Sequence, residues 1–326
     1  MASVVPASEL RRPGLAEKLV PRGPLAWWAW ASLVVFPGIL LAQATLLGLR
    51  PDHIGLVSVF LILSWLGPKA RAYVVMGSPM WLAGIGYDFL RLITHLRPEV
   101  HVDSLWNAER SLFGFQGASG PTDLGEWIAT HTHPVLDAVT GGVYILYLPF
   151  PIILASLLYF RHEPVARRLS ISFGVTSVLG WAIWLAWPAA PPWYVDTYGL
   201  GPAQLDALPS AAGTIRFDQL FGVHLFQSFY EKSHNVFGAM PSLHAGYGAV
   251  PALAVWQLRG KLPALSYGCA LWAMLMAFAA VYLRHHYILD VLAGVAVAIT
   301  GDTTARFLLR RHSRSGPASV PKELAQ

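Results

Sequence analysis

The chain has 326 residues, of which 55% are hydrophobic and only 13% charged, and it holds 13 tryptophans. That balance excludes an ordinary water-soluble domain and reads as a polytopic membrane protein. The formal net charge of +5 does not point to nucleic acid, because the basic residues are scattered between apolar runs and form no continuous basic face.

Residues 1–24 are basic and contain proline, and the apolar run that follows is too long for a cleavable signal sequence. Apolar windows near the length needed to cross a core of about 30 Å fall at Leu25 to Gly48, Ile54 to Gly67, Pro79 to Leu96, Asp137 to Phe160, Leu169 to Trp187, Pro241 to Leu258, Leu262 to Leu283 and His286 to Leu309. They predict an all-α, polytopic transmembrane bundle of six to eight helices. When the windows alternate in direction from an inside N-terminus, most of the 23 Lys and Arg residues fall on one side, which the positive-inside rule assigns to the cytoplasm. Both termini are then cytoplasmic, the plasma membrane is the expected location, and the long connections 97–136 and 188–240 lie outside. Residues 25–312 form one transmembrane domain with no internal repeat, and 313–326 read as a disordered cytoplasmic tail. Tryptophans near the segment ends suit an interfacial belt. The lone cysteine, Cys269, lies inside an apolar run, so there is no disulfide framework and no cysteine-based metal site.

Charged residues inside these windows need a partner or a task. Asp88 and Arg91 are three residues apart and can pair on one helix face, or Arg91 can serve a phosphate headgroup. Glu109, Arg110 and Asp123 read as solvated loop charges, and "PPWYV" as a loop shaped over a site. "GAMPSLH" places Pro241 in a first helical turn and His244 near the outer end of its helix. "YLRHHYILD" returns the chain to that depth, so His286 starts the last helix on the same face. Asp290, one turn on, can accept a hydrogen bond from the His286 imidazole and fix its tautomer. Helix N-termini beside the histidines offer N–H groups for a phosphate, with Ser242 and Arg284 as added donors and His285 as a further phosphate contact.

"GAMPSLH" with "YLRHHYILDVLAG" resembles the second and third motifs of the type 2 phosphatidic acid phosphatase superfamily. "WPAAPPWYV", "ERSLFG" and the doubled His285 and His286 resemble its branch that contains inositol phosphorylceramide synthase. The resemblance implies that His286 attacks phosphorus, Asp290 orients and charge-stabilises it, and His244 is the general acid and base. No metal and no cofactor are implied. The usual Ser-Arg of the third motif is replaced by Ala279 and Ala280, and the first motif is represented by Arg91, a five-residue spacer, Arg97 and Pro98. The expected function is transfer of a phospho-headgroup from a phospholipid to a hydroxyl acceptor, lipid or sugar. A lipid-phosphate or prenyl-phosphate phosphatase would use the same residues with water. Two imidazoles and a carboxylate are also zinc ligands, but the spacing is not that of a zinc hydrolase. A transporter would require paired repeats or matching broken helices, and the sequence has neither.

Overall fold

The computed structural model describes residues 20–118, 120–231 and 235–314. The basic residues before 20 and the tail from 315 onward, both assigned to the cytoplasm from the sequence, lie outside the described residues. The chain divides between Gly77 and Ser78 into two compact units.

The first unit carries α1 (Ala26–Leu46), α2 (Pro51–Trp65) and α3 (Pro68–Met76). Proline opens α2 and α3, where a missing N–H costs nothing. Arg71 of α3 is 2% exposed. It donates from Nε to the Ser64 carbonyl at 3.0 Å, which ties the end of α2 to α3.

The second unit runs through α4 (Ser78–Phe89), α5 (Asp103–Phe113), β1 (Gly114–Gly117), β2 (Gly120–Asp123), α6 (Leu124–Thr130), α7 (Pro134–Ile145), α8 (Pro149–Arg161), α9 (Glu163–Ala186), α10 (Pro192–Tyr198), α11 (Ile215–Phe221), α12 (Leu225–Tyr230), α13 (Leu243–Val255), α14 (Pro263–Tyr282) and α15 (Ile288–Arg314). The two strands form a short antiparallel hairpin with Gly114 opposite Asp123. The fold is otherwise helical.

Among the described residues, α1, α9, α14 and α15 are long and apolar enough to cross a bilayer, and α7 with α8, bent by 56°, would make a fifth span. This is fewer than the six to eight expected from the apolar windows. The window from Pro79 to Leu96 leaves the α-helix at Phe89 and continues as 3-10 turns. The Pro241 window yields 13 helical residues before a 3-10 turn, and α2 has 15. Hydropathy registers apolar length and not where the helical ladder breaks.

Helix α9 packs against α15, α13, α8 and α4. Small residues make these approaches close: Gly174 faces Pro79, Gly180 faces Leu243, and Gly301 faces the Ser172 carbonyl and Thr176. The charge that this core contains is paired, because Arg168 grips Asp302 of α15 through two 2.7 Å hydrogen bonds and donates to the Leu253 carbonyl at 2.9 Å.

The contact that positions the site joins α13 and α15. The Ser242 N–H donates to the Asp290 carbonyl at 2.9 Å, and one turn later Gly294 lies directly against the Ser242 carbonyl, where a Cβ would collide with it. Backbone therefore meets backbone, and the depth of His244 relative to Asp290 is set. Gly294→Ala is expected to destabilise the protein by about 1–3 kcal/mol, the usual range for overpacking. Gly268→Ala on α14, where a Cβ meets nothing within 4 Å, is expected to be neutral or slightly stabilising, since alanine is the better helix former. Thermal unfolding in detergent measures both, and equal melting temperatures would refute the close-approach reading.

Candidate active site

Helix α13 starts later than the sequence suggests. Pro241 precedes the cap, the Ser242 Oγ accepts from the Ala245 N–H at 3.3 Å, and His244 is the second helical residue. On the other side, α14 ends at Tyr282 and the chain reverses through Arg284, whose φ of 60° is left-handed. That conformation costs a non-glycine residue about 1–2 kcal/mol, and the surrounding backbone holds it. Trp193 N–H donates to the Arg284 carbonyl, Gly213 N–H to the Leu283 carbonyl and His286 N–H to the Ala280 carbonyl, each at 3.0 Å. His286 consequently stands two residues before α15, not on it as the sequence suggests.

The reversal brings the two histidines into direct contact: His244 Nδ1 lies 3.2 Å from His286 Nε2. The other imidazole nitrogen of His286, Nδ1, lies 2.9 Å from the Ala239 carbonyl, which can only accept. In neutral His286 the proton therefore sits on Nδ1 and the lone pair on Nε2. His244 must then be the donor in the contact, with its proton on Nδ1. The Tyr144 hydroxyl is a second neighbour of that nitrogen at 3.2 Å.

Asp290 is completely buried, but its part differs from the expected one. Its Oδ2 stands 3.5 Å from His286 Nδ1, too far for a hydrogen bond, and accepts instead from the Tyr287 N–H at 2.9 Å. It thus reaches back to the residue before α15, as the third residue of a capping box does. The Oδ1 atom is buried with no hydrogen-bond partner. The Ala239 carbonyl, not the carboxylate, fixes the imidazole tautomer.

His285 is enclosed by aromatic rings. Tyr144 stacks on His244 at 4.2 Å and on His285 at 5.2 Å, and Tyr230 stacks on His285 at 4.7 Å. His285 Nε2 lies 3.2 Å from the Ala211 carbonyl. With two rings stacked on it, one nitrogen on a carbonyl and 5% exposure, His285 is a buried packing residue where the sequence suggested a phosphate contact.

The remaining expected phosphate contacts fare unevenly. Arg284 is held by Asp196 through hydrogen bonds of 2.8 and 2.6 Å. Ser242 is committed to capping α13. Arg91 sits in the 3-10 turn after α4. Arg97 donates to the Asn235 Oδ1 at 2.8 Å, in the segment that leads to Ala239, and its buried Nε has no hydrogen-bond partner.

Two of the loop charges expected to be solvated are buried. Asp123 is 2% exposed and caps α6 through the Glu126 N–H. Glu109 is 0% exposed, and its two carboxylate oxygens accept from the N–H groups of Ile288 and Leu289 at 2.9 and 3.1 Å. Arg110 is half-buried over Trp106 and donates to Glu126 at 2.6 Å. The N-terminus of α15 is therefore closed by Glu109 and Asp290 and is not an open phosphate cradle. Glu109, Tyr144 and Ala239 are the residues that sequence reasoning missed. Only Glu109 carried a signal, an i, i+4 pairing with Leu105 on one helical face.

These features define an α-helical integral membrane protein built around a contacting pair of histidines, His286 buried and His244 half-buried. Its residues 105–302 match the PAP2 superfamily, and the chain belongs to that family. It is 36% identical over 274 residues to a phosphoinositol dihydroceramide synthase of Bacteroides thetaiotaomicron, covering 82% of this chain and 88% of that protein. It is 33% identical to an inositol phosphorylceramide synthase of Candida albicans, covering 68% of this chain and 45% of that protein. A catalytic subunit of that synthase from Saccharomyces cerevisiae is also 33% identical, over 61% of this chain and 47% of the relative. The chain thus spans less than half the length of these fungal relatives. Family membership makes it an enzyme acting on phosphoester lipids.

Burial, with the charge of His286 as a smaller cause, pushes His285 down to about 3, from 6.5. A base whose folded value is lowered stabilises the fold above its unfolded value, and that contribution is lost as pH falls from about 6.5 toward 3, by about 1.4 kcal/mol per pH unit. The wild-type melting temperature should therefore fall more steeply between pH 7 and pH 4 than that of His285→Gln. Parallel curves would show that His285 is not buried neutral.

Proposed function

We propose that this protein is a lipid phosphotransferase. It moves phosphoinositol from a phospholipid to the primary hydroxyl of a ceramide-like acceptor through a phosphohistidine on His286, with no metal, at the outer face of the plasma membrane. The single observation that carries the chemistry is the 3.2 Å contact between His286 Nε2 and His244 Nδ1, taken with the tautomer set by Ala239. The kind of donor and acceptor is supported by the bacterial relative, a phosphoinositol dihydroceramide synthase that matches along most of both chains.

In the first half-reaction the Nε2 lone pair attacks phosphorus, and the bond to the diacylglycerol oxygen breaks. With substrate bound His244 is the imidazolium; its Nδ1 proton passes to that oxygen, the Nε2 proton stays, and diacylglycerol leaves. His244 is then left with a lone pair on Nδ1. In the second half-reaction it takes the proton of the acceptor hydroxyl, the acceptor oxygen attacks phosphorus, and the N–P bond breaks. Both histidines return to their starting protonation states. Phosphorylated His286 carries positive charge on the ring, and Asp290, with one oxygen open, lies behind it to stabilise that charge. Phosphorus cannot fit between the nitrogens at their present separation, so substrate entry must part the pair. Arg97 and Arg91 are the cations proposed to meet the phosphate.

Purified protein in nanodiscs, given phosphatidylinositol and dihydroceramide, is expected to yield phosphoinositol dihydroceramide and diacylglycerol by mass spectrometry, undiminished by chelator. His286→Ala should form no covalent intermediate from labelled donor, and His244→Ala should slow turnover by about 100- to 10,000-fold. Release of free inositol phosphate or phosphate without the lipid product would replace transfer by hydrolysis, and loss with chelator would replace phosphohistidine by a metal.

A further inference from the structure

Helix α5 lies far from the histidines in sequence, yet one of its faces touches both structures that grip His286. Leu105 packs in one cluster with Ala189, Ala239 and Tyr287. One turn on, Glu109 places its carboxylate on the N–H groups of Ile288 and Leu289, across 179 and 180 residues of chain. Ala239 supplies the carbonyl that takes the Nδ1 proton, and Tyr287 follows the nucleophile directly. A single helical face thus supports the acceptor of the imidazole proton and the backbone next to the imidazole.

We infer that Glu109 is a positioning residue for His286: its carboxylate anchors the reversal between α14 and α15 and sets, with Asp290, the negative potential behind the imidazole. This inference rests on the assignment of His286 as nucleophile. Two features separate this role from a simple structural cap. First, the first-turn N–H groups of α15 need acceptors, but neutral ones would serve; a carboxylate there adds a negative charge next to the nucleophile's backbone, held by two N–H groups and the positive helix end. Burial holds the carboxyl above its ordinary range, while the Ile288 and Leu289 N–H groups counter the shift. Second, the charge sits on the N–H groups two and three residues after His286, at the start of the helix that carries Asp290, whose Oδ2 lies 3.5 Å from His286 Nδ1. A negative potential there favours the imidazolium and the cationic phosphohistidine over the neutral ring.

The test compares Glu109→Gln, which keeps the shape and loses the charge, with Glu109→Asp, which keeps the charge and shortens the reach. For Glu109→Gln the expected result is a fall of about tenfold in kcat with KM within about twofold, and an acid limb of the kcat/KM profile moved to lower pH. Glu109→Asp should be slow with the acid limb in place. The ionisation of His286 is also read without turnover, from the pH dependence of its acylation by diethyl pyrocarbonate, followed by peptide mass spectrometry. Glu109→Gln should shift that dependence to lower pH as well. An unmoved acylation profile overturns the inference, as does a Glu109→Gln rate loss that only matches the loss of folded protein. Failure of the wild type to turn over phospholipid would overturn the proposed function instead, and the acylation profile would still decide the role of Glu109.

Discussion

One hydrogen bond organises the histidine pair, the 2.9 Å contact from His286 Nδ1 to the Ala239 carbonyl. A carbonyl oxygen has no proton to give, so the bond leaves the imidazole a single neutral tautomer and directs its lone pair at His244. Everything around it serves to hold that carbonyl and that ring in register. Ala239 is fixed by a backbone bridge to Ala189 and by packing against Leu105 and Tyr287. The ring is fixed by the reversal at Arg284, which is bonded into two other connections.

The second constraint is electrostatic. Glu109 and Asp290 are both fully buried, and the hydrogen bonds of both go to backbone N–H groups at the start of α15. The positive end of the helix stands in for a cation. The same arrangement removes that helix end from the possible phosphate sites, because its donors are spent on carboxylates. Arg284 is likewise committed, to Asp196.

Much of the fold and the histidine pair can be read in the sequence because both rest on side-chain type and spacing. The Pro-Ser-Leu-His and His-x-x-x-Asp segments bound one helical hairpin, and such a hairpin returns its ends to one level. What the sequence hides is carried by backbone atoms and by remote pairs. A carbonyl such as that of Ala239 or Ala211 has no signature in residue identity. Asp196 lies 88 residues before the arginine that it holds, so Arg284 looks available when read along the chain. Glu109 looks solvated because it sits between apolar windows, in a stretch that composition marks as loop. The span count slips for a related reason: hydropathy continues smoothly across the breaks at Phe89 and between α7 and α8.

Tyr144 lies nearly parallel to both His244 and His285, and Tyr230 to His285, with interplanar angles of 16°, 16° and 8°. Such pairs contribute about 0.5–1.5 kcal/mol each beyond the area they bury. His244 is also held through Nδ1 by its 3.2 Å contacts with His286 and the Tyr144 hydroxyl, so parting the histidines for a substrate also disturbs the aromatic cluster behind them.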